Sequence, residues 1–485
     1  MDFSEDYRKQ FSLFYNKYDE YLTPLFQQDG ARALYGLLGN DPKNAQKQGF
    51  IEWCGRGASI FQSQYITEIK DGGIIDRLKD SLVDYPGLEM TISRIISRLE
   101  SAVSEIDDPS YNNALLKMRV CSQGSPEYNQ SLTDLFTAAV GVSKKSDSDP
   151  YEFLMKKYGT DLTMDHVRPL LKVDSVLSAT REESDLMKLF YSEFPADQDT
   201  MRKFLNEWKV SLRTFLPLKK FVGDIDFDWG DSNFINPAHP QFINISVKYV
   251  PGNFVKTLIS FSHEYAHALY SSELFDQTLP AWHPVQDYYS VTTQEATAMF
   301  IDRYILRNDA IPLLVEMINR YFGPDIKVDE ESLWRVFNNP NPNASRVFCD
   351  EISYVGILKS LIQIEFSVFH GNLDPKEIPE VLSELVRANI GEVSYWQIPE
   401  SDRNKFHEKV VHWKEGMFGY LPSYLLGDSL AANMYKQFRE KDGILINTLF
   451  DGGQMIDPGA IYTSTNDRNF FNYVLAKKKK MEREF

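Results

Sequence analysis

The 485-residue chain sets 52 lysines and arginines against 69 aspartates and glutamates, and its net charge of −17 argues against nucleic acid as the main partner. A hydrophobic fraction of 43% with 13% aromatics belongs to a well-cored globular protein and excludes a disordered one. Cys54, Cys121 and Cys349 are widely spaced with no CxxC, the N-terminus lacks an apolar leader core, and no uncharged stretch approaches the roughly 20 apolar residues of a membrane span, so a cytoplasmic location is expected.

Apolar positions recur at a 3–4 spacing over 3–28, 75–105, 180–222, 253–275, 287–307, 345–370 and 425–442, predicting amphipathic helices. Asp41-Pro42, Asp108-Pro109, Pro251-Gly252 and Asn339-Pro-Asn-Pro342 punctuate them, and 143–150 reads as a linker-like loop. These features suggest an N-terminal helical lobe over 1–150 and a catalytic lobe over 151–485, or one continuous domain. The basic run Lys477–Lys480, flanked by Glu482 and Glu484, reads as the solvated end of a last helix.

One region breaks the helical pattern. Within 224–250, Gln241-Phe-Ile-Asn-Ile-Ser-Val-Lys-Tyr-Val250 alternates apolar with polar, as a half-buried strand does, so a short antiparallel sheet is expected. Its edge suits an extended peptide, or it simply caps a helical lobe.

Asn253 is placed to cap the helix that follows, which no glycine or proline interrupts as far as Tyr270. Phe254, Leu258, Phe261, Tyr265 and Leu269 form its burying stripe. On a neighbouring face lies His263-Glu264-Tyr265-Ala266-His267. Histidines four apart on a helix sit about 40° apart around the axis, so both imidazoles reach one metal ion. The glutamate between them is placed to take a proton from water on that ion. His263 and His267 are therefore candidate ligands, and Glu264 the candidate general base.

Zinc needs a third protein ligand. A metzincin would carry Gly at 270 and His at 273, where this chain has Tyr270 and Glu273. Glu273 points about 240° away around the helix. Glu295 is the better candidate, on the next predicted helix among the small residues Ala296, Thr297 and Ala298. A thermolysin-like site would place an aspartate four residues further, where Met299 stands.

From about 150 to 430 the chain resembles the Taq-type metallocarboxypeptidases, a zinc-dependent, all-helical, cleft-forming family. Besides His-Glu-x-x-His, Gly419-Tyr-Leu-Pro-Ser-Tyr-Leu-Leu-Gly427 is similar to the family's Gly-Tyr-Phe-Pro-Thr-Tyr-x-Leu-Gly, and His412-Trp413 to its His-Trp. Ser345-Arg-Val-Phe-Cys-Asp-Glu351 resembles Ile-Arg-x-x-Ala-Asp-Glu, Gln294-Glu295-Ala296 falls on His-Glu-Ser, and His239-Pro240 on an upstream His-Pro. Gln294, Ala296-Thr297, Ser345, Phe406 and Lys409-Val410 depart from the family pattern, which bears on selectivity and on the surroundings of the ligands.

The resemblance implies a large, mainly α metallopeptidase with a deep central cleft and the small antiparallel sheet beside the motif helix. It implies Glu295 as third zinc ligand, with cobalt as a possible substitute. It implies removal of single residues from peptides with a free C-terminus, and a homodimer. Tyr420, with Tyr424 as alternate, and His412 become candidates to stabilise the oxyanion or hold substrate. Arg346 matches the motif arginine and suits the substrate's terminal carboxylate. Asp350, or Glu351, is placed to orient a ligand imidazole. His239 either contacts substrate or caps the sheet. The alternatives are a related helical zinc oligopeptidase or dipeptidyl carboxypeptidase, and a catalytically silent peptide-binding relative.

Overall fold

The computed structural model describes residues 73–80, a few positions between 84 and 103, and 108–485 except 157, 159–161, 217–223, 231–233, 240–241, 275–289, 324–325, 344–348, 442–461 and 463. The expected helix at 3–28 and most of that at 75–105 fall outside these residues, though Ile74–Asp80 is helical. The elements used below are helices α1 (Pro109–Val120), α2 (Pro126–Ser143), α3 (Gln198–Leu212), α4 (Phe254–Leu274), α5 (Val291–Met299), α6 (Glu351–Phe369), α7 (Leu421–Arg439) and α8 (Ser464–Glu484), with strands β1 (Asp224–Trp229), β2 (Phe234–His239) and β3 (Phe242–Val247).

The molecule is mainly helical, as expected. The long predicted helix over 180–222 is divided: the chain turns out at Phe194–Asp197, and Asp197 caps α3 by accepting from Thr200 N–H. α1 and α2 share one apolar core with the rest of the chain. Phe136 of α2 packs against Trp413 (5.2 Å between ring centroids), Phe418 (4.5 Å) and Phe369 (6.2 Å). α6 is long and apolar enough to cross a membrane by length and composition alone, but 83% of that window is buried inside the fold. Its apolarity is that of a core helix.

The sheet differs from the expected antiparallel one. It has the order β1-β3-β2; β2 pairs with β3 antiparallel, and β1 pairs with β3 parallel. The cause is connectivity. β2 runs back from β1, and β3 turns again and inserts between them, so it lies parallel to the first strand and antiparallel to the second. Alternation survives: Ile225 and Phe227 of β1 and Ile245 and Val247 of β3 are buried, and Asp226 and Asp228 are exposed.

This sheet supports α4. Phe227 meets Phe261 edge-on at 5.0 Å, and Phe261 stacks on Tyr265. Asn253 accepts a hydrogen bond from Lys256 N–H at 2.8 Å, capping α4 as its sequence position predicts. Trp208 of α3 donates its indole N–H to Ser262 Oγ at 2.9 Å, beside the first motif histidine. α4 is thus pinned along two sides, and the face carrying His263 and His267 turns toward α5.

Candidate metal centre

His263 and His267 lie on α4 with 4% and 6% exposure, and Glu295 on α5 with 3%. The two Nε2 atoms are 2.9 Å apart, and Glu295 Oε2 lies 3.7 Å from one and 3.8 Å from the other. One ligand atom from each residue falls within 4.8 Å of the other two. Zinc–ligand bonds of about 2.0–2.2 Å arranged tetrahedrally put donors roughly 3.3 Å apart. Two imidazoles and a carboxylate converging at these spacings in a buried pocket therefore fit a divalent cation by both geometry and donor chemistry.

The close approach of α5 has a local cause. Gly427 of α7 faces α5, and a Cβ there would stand 3.0 Å from Thr292 O, 3.1 Å from Ala296 N and 3.1 Å from Glu295 Cβ. Glycine in α7 and small residues in α5 let the two backbones meet, which sets the depth from which Glu295 reaches the histidines.

Beyond Met299 the chain continues as a π-helical segment, Phe300–Asp309, closed by an N–H from Ala310 to Ile305 O. It brings Asp302, 2% exposed, to 3.1 Å from His263 Nδ1. A carboxylate this close to the outer ring nitrogen is placed to orient the imidazole, with Nε2 turned toward His267 and Glu295. Asp350, expected in that role, lies elsewhere. It caps α6, accepting from Ile352 and Ser353 N–H through Oδ1 and from Asn341 N–H through Oδ2. Glu351, the alternative, accepts from the Tyr473 hydroxyl at 2.9 Å and pairs with Lys477 at 3.4 Å. The sequence reading missed Asp302, yet the signal existed. It stands seven residues after Glu295, two turns along and so near the same helical face.

The half-buried wall of the site comes from the Gly419–Gly427 segment. Tyr420 donates its hydroxyl to Glu295 Oε1 at 2.9 Å, so its nearest partner is the ligand carboxylate rather than open space for an oxyanion. His412 packs against Tyr420 (4.9 Å) and Tyr424 (5.4 Å), and the Tyr424 hydroxyl stands 3.2 Å from His412 Nε2. Glu264, next to His263 on α4, is also half-buried. His263, His267 and Glu295 are enclosed while Glu264, His412, Tyr420 and Tyr424 keep some solvent access, as a site that admits a substrate requires. His239 lies at the end of β2, and its side chain falls outside the described residues, as does the whole of Arg346.

A family described as carboxypeptidase Taq (M32) metallopeptidase matches residues 127–456. The chain belongs to this family. Among relatives, it is 26% identical over 210 residues to thermostable carboxypeptidase 1 of Thermus thermophilus, covering 42% of this chain and 39% of that one. It is 21% identical over 311 residues to thermostable carboxypeptidase 1 of Pyrococcus furiosus, covering 61% and 58%. The matched sequence thus spans about two-fifths to three-fifths of these relatives' length. By fold, a Pyrococcus furiosus carboxypeptidase superposes with a TM-score of 0.69 at 17% identity, over 98% of this chain and 99% of the other. A Deinococcus radiodurans M32 carboxypeptidase does so with a TM-score of 0.62 at 15% identity, over 98% and 99%.

Proposed function

We propose that the protein is a zinc-dependent carboxypeptidase that hydrolyses the last peptide bond of substrates with a free C-terminus. The observation that carries this is the convergence of His263, His267 and Glu295, with Glu264 one residue from the first ligand, in a chain of this family. His263, His267 and Glu295 would hold a divalent cation, which would supply Lewis-acid polarisation of the scissile carbonyl and lower the pKa of water toward about 7.

The chain's own groups do the rest. Glu264 accepts a proton from the attacking water and delivers it to the departing amine, so no covalent enzyme intermediate forms. Asp302 holds the His263 ring against rotation, and Tyr420 holds Glu295. The Tyr424 hydroxyl and His412, 3.2 Å apart, are the candidate donors for the charge that grows on the carbonyl oxygen. Arg346 pairs with the terminal carboxylate, on its motif match alone. The family likeness supports a homodimeric working form.

The test compares a free-acid peptide with its C-terminal amide, read by mass spectrometry of the products. Stepwise loss of single residues from the free acid only is expected; equal cleavage of the amide would sink the carboxypeptidase reading in favour of an oligopeptidase. Glu264→Gln should lower turnover by at least about 1000-fold with metal content unchanged, since the general base is lost and every ligand is kept.

A further inference from the structure

Glu365 lies in the middle of α6, fully buried at 0% exposure, and the roles proposed above make no use of it. Oε1 accepts from the Trp413 indole N–H at 2.7 Å. Oε2 accepts from the Tyr151 hydroxyl at 2.7 Å and from the Gly419 backbone N–H at 3.1 Å. Trp413 and Gly419 directly adjoin His412 and Tyr420 in the chain. One carboxylate therefore grips both ends of the segment that presents the His412 and Tyr420 side chains.

The rest of the segment is built to be held this way. Met417 N–H donates to His412 O at 2.7 Å, and Tyr420 N–H to Met417 O, folding it into a compact turn. Gly419 has φ +78°, and a Cβ there would stand 2.7 Å from Met155 N, so no other residue fits its conformation or its space. Trp413 is 0% exposed and packs edge-on against Phe136. Tyr151, the third donor, anchors the carboxylate from the other side, stacked on Phe369 at 5.9 Å. Its hydroxyl pKa is raised well above the ordinary value by burial and by the neighbouring Glu365, which keeps it a donor.

We infer that Glu365 is a positioning residue of the hydrolase: by gripping Trp413 and Gly419 together it fixes the His412–Tyr420 distance, and with it the wall facing the metal ligands. The inference rests on the hydrolase reading proposed above. It says why a fully buried carboxylate sits in the middle of a core helix. Two N–H donors that lie between His412 and Tyr420 in the chain are satisfied together by one two-oxygen acceptor.

The experiment uses the metal-loaded full chain, a free-acid tripeptide substrate and a phosphinic tripeptide that mimics the tetrahedral transition state. Wild type must first release the terminal residue; if it does not, the hydrolase reading fails and the Glu365 variants are not reached. Given that activity, Glu365→Gln places an amide N–H against an N–H or O–H donor and should lower kcat about 10- to 100-fold. Phosphinate affinity should fall by a similar factor, while KM and bound metal stay within about twofold. A purely structural role would lower the melting midpoint without this split between kcat and KM.

Two further variants hold the inference to account should Glu365→Gln fail to fold. Trp413→Phe removes a donor attached to the loop, and Tyr151→Phe removes the one that is not. Assayed well below each melting midpoint, Trp413→Phe should lose kcat at least tenfold and Tyr151→Phe less than threefold. Equal losses in the two, or unchanged kcat in Glu365→Gln, would overturn the assignment.

Discussion

Asp302 carries a lesson at the scale of single residues. The convergence of His263, His267 and Glu295 was legible because its signal is local: two histidines one turn apart and a glutamate on the next helix need only helical geometry. Asp350 was the reasonable choice from motif position, but its carboxylate is taken up by three backbone N–H groups, two in the first turn of α6 and one from Asn341 upstream. A motif match does not announce that a residue will be consumed as a helix cap. Replacing Asp302 with Asn keeps the shape and weakens the orientation of His263. Metal affinity, read by chelator competition, should fall about 10- to 100-fold, while Asp350→Asn should leave it near wild type and cost stability instead. His407 is 2% exposed, with Nε2 2.7 Å from Asn129 Oδ1 and Nδ1 without a hydrogen-bond partner. Burial pushes its pKa down to about 4. The unfolded chain therefore binds the proton first as pH falls, and stability contributed by this residue is present above about pH 6.5 and lost on descending to 4. The loss from this one group is about 3 kcal/mol. Urea denaturation at pH 7 and pH 4.5 should show a smaller pH dependence in His407→Gln than in wild type.

At the scale of elements, the contact between α5 and α7 explains why the Gly419–Gly427 segment works as a unit. Its first glycine makes a turn that no side chain can enter, and its last removes the one that would separate two helices. The motif match named both glycines, but only packing reveals that Gly427 sets how closely Glu295 approaches without bonding to it. Gly427→Ala would place a methyl group 3.1 Å from Glu295 Cβ, and α5 must shift by a few tenths of an ångström. The helix propensity gained, about 1 kcal/mol, opposes this strain, so global stability should change little. Metal affinity should nonetheless drop several-fold, because the Glu295 carboxylate retreats from both imidazoles. A titration that shows unchanged affinity would mean α5 is not set by this contact. The sheet was legible in part: alternation marked the run that forms β3 and its place before α4, whereas strand order depends on which strand inserts between the other two, and that is decided in three dimensions.

Across the whole molecule, the C-terminal helix is tied to the same core that carries the metal centre. The basic run at 477–480 reads from sequence as a solvated helix end, yet Lys477 is 5% exposed and inserted into the core. Its Nζ lies 3.4 Å from Glu351 Oε2 and donates to Asn308 Oδ1 at 3.1 Å, while Tyr473 donates to the same Glu351 oxygen at 2.9 Å. Burial lowers the Lys477 pKa to about 8 against the opposing pull of Glu351. Arg303, next to Asp302, donates to the Glu351 backbone carbonyl at 2.7 Å and pairs with Asp428 of α7, so this polar cluster connects α6, α7 and α8 through the π segment that orients His263. A charge run therefore misleads when one member faces inward; the fourfold repeat of lysine hides which face it occupies, and only the apolar positions Phe470, Val474 and Met481 on the same helix betray it. Removing one partner of a buried pair strands the other, so Glu351→Ala should destabilise the fold by about 3–5 kcal/mol, whereas Lys477→Met, an apolar replacement of similar length, should cost well under half of that. If the two groups are coupled as their geometry requires, the double variant will be more stable than Glu351→Ala alone, because the stranded ammonium is gone. Strict additivity in a denaturant-based double-mutant cycle would show instead that Glu351 is held by Tyr473 and its other neighbours, with Lys477 contributing only its hydrocarbon stem.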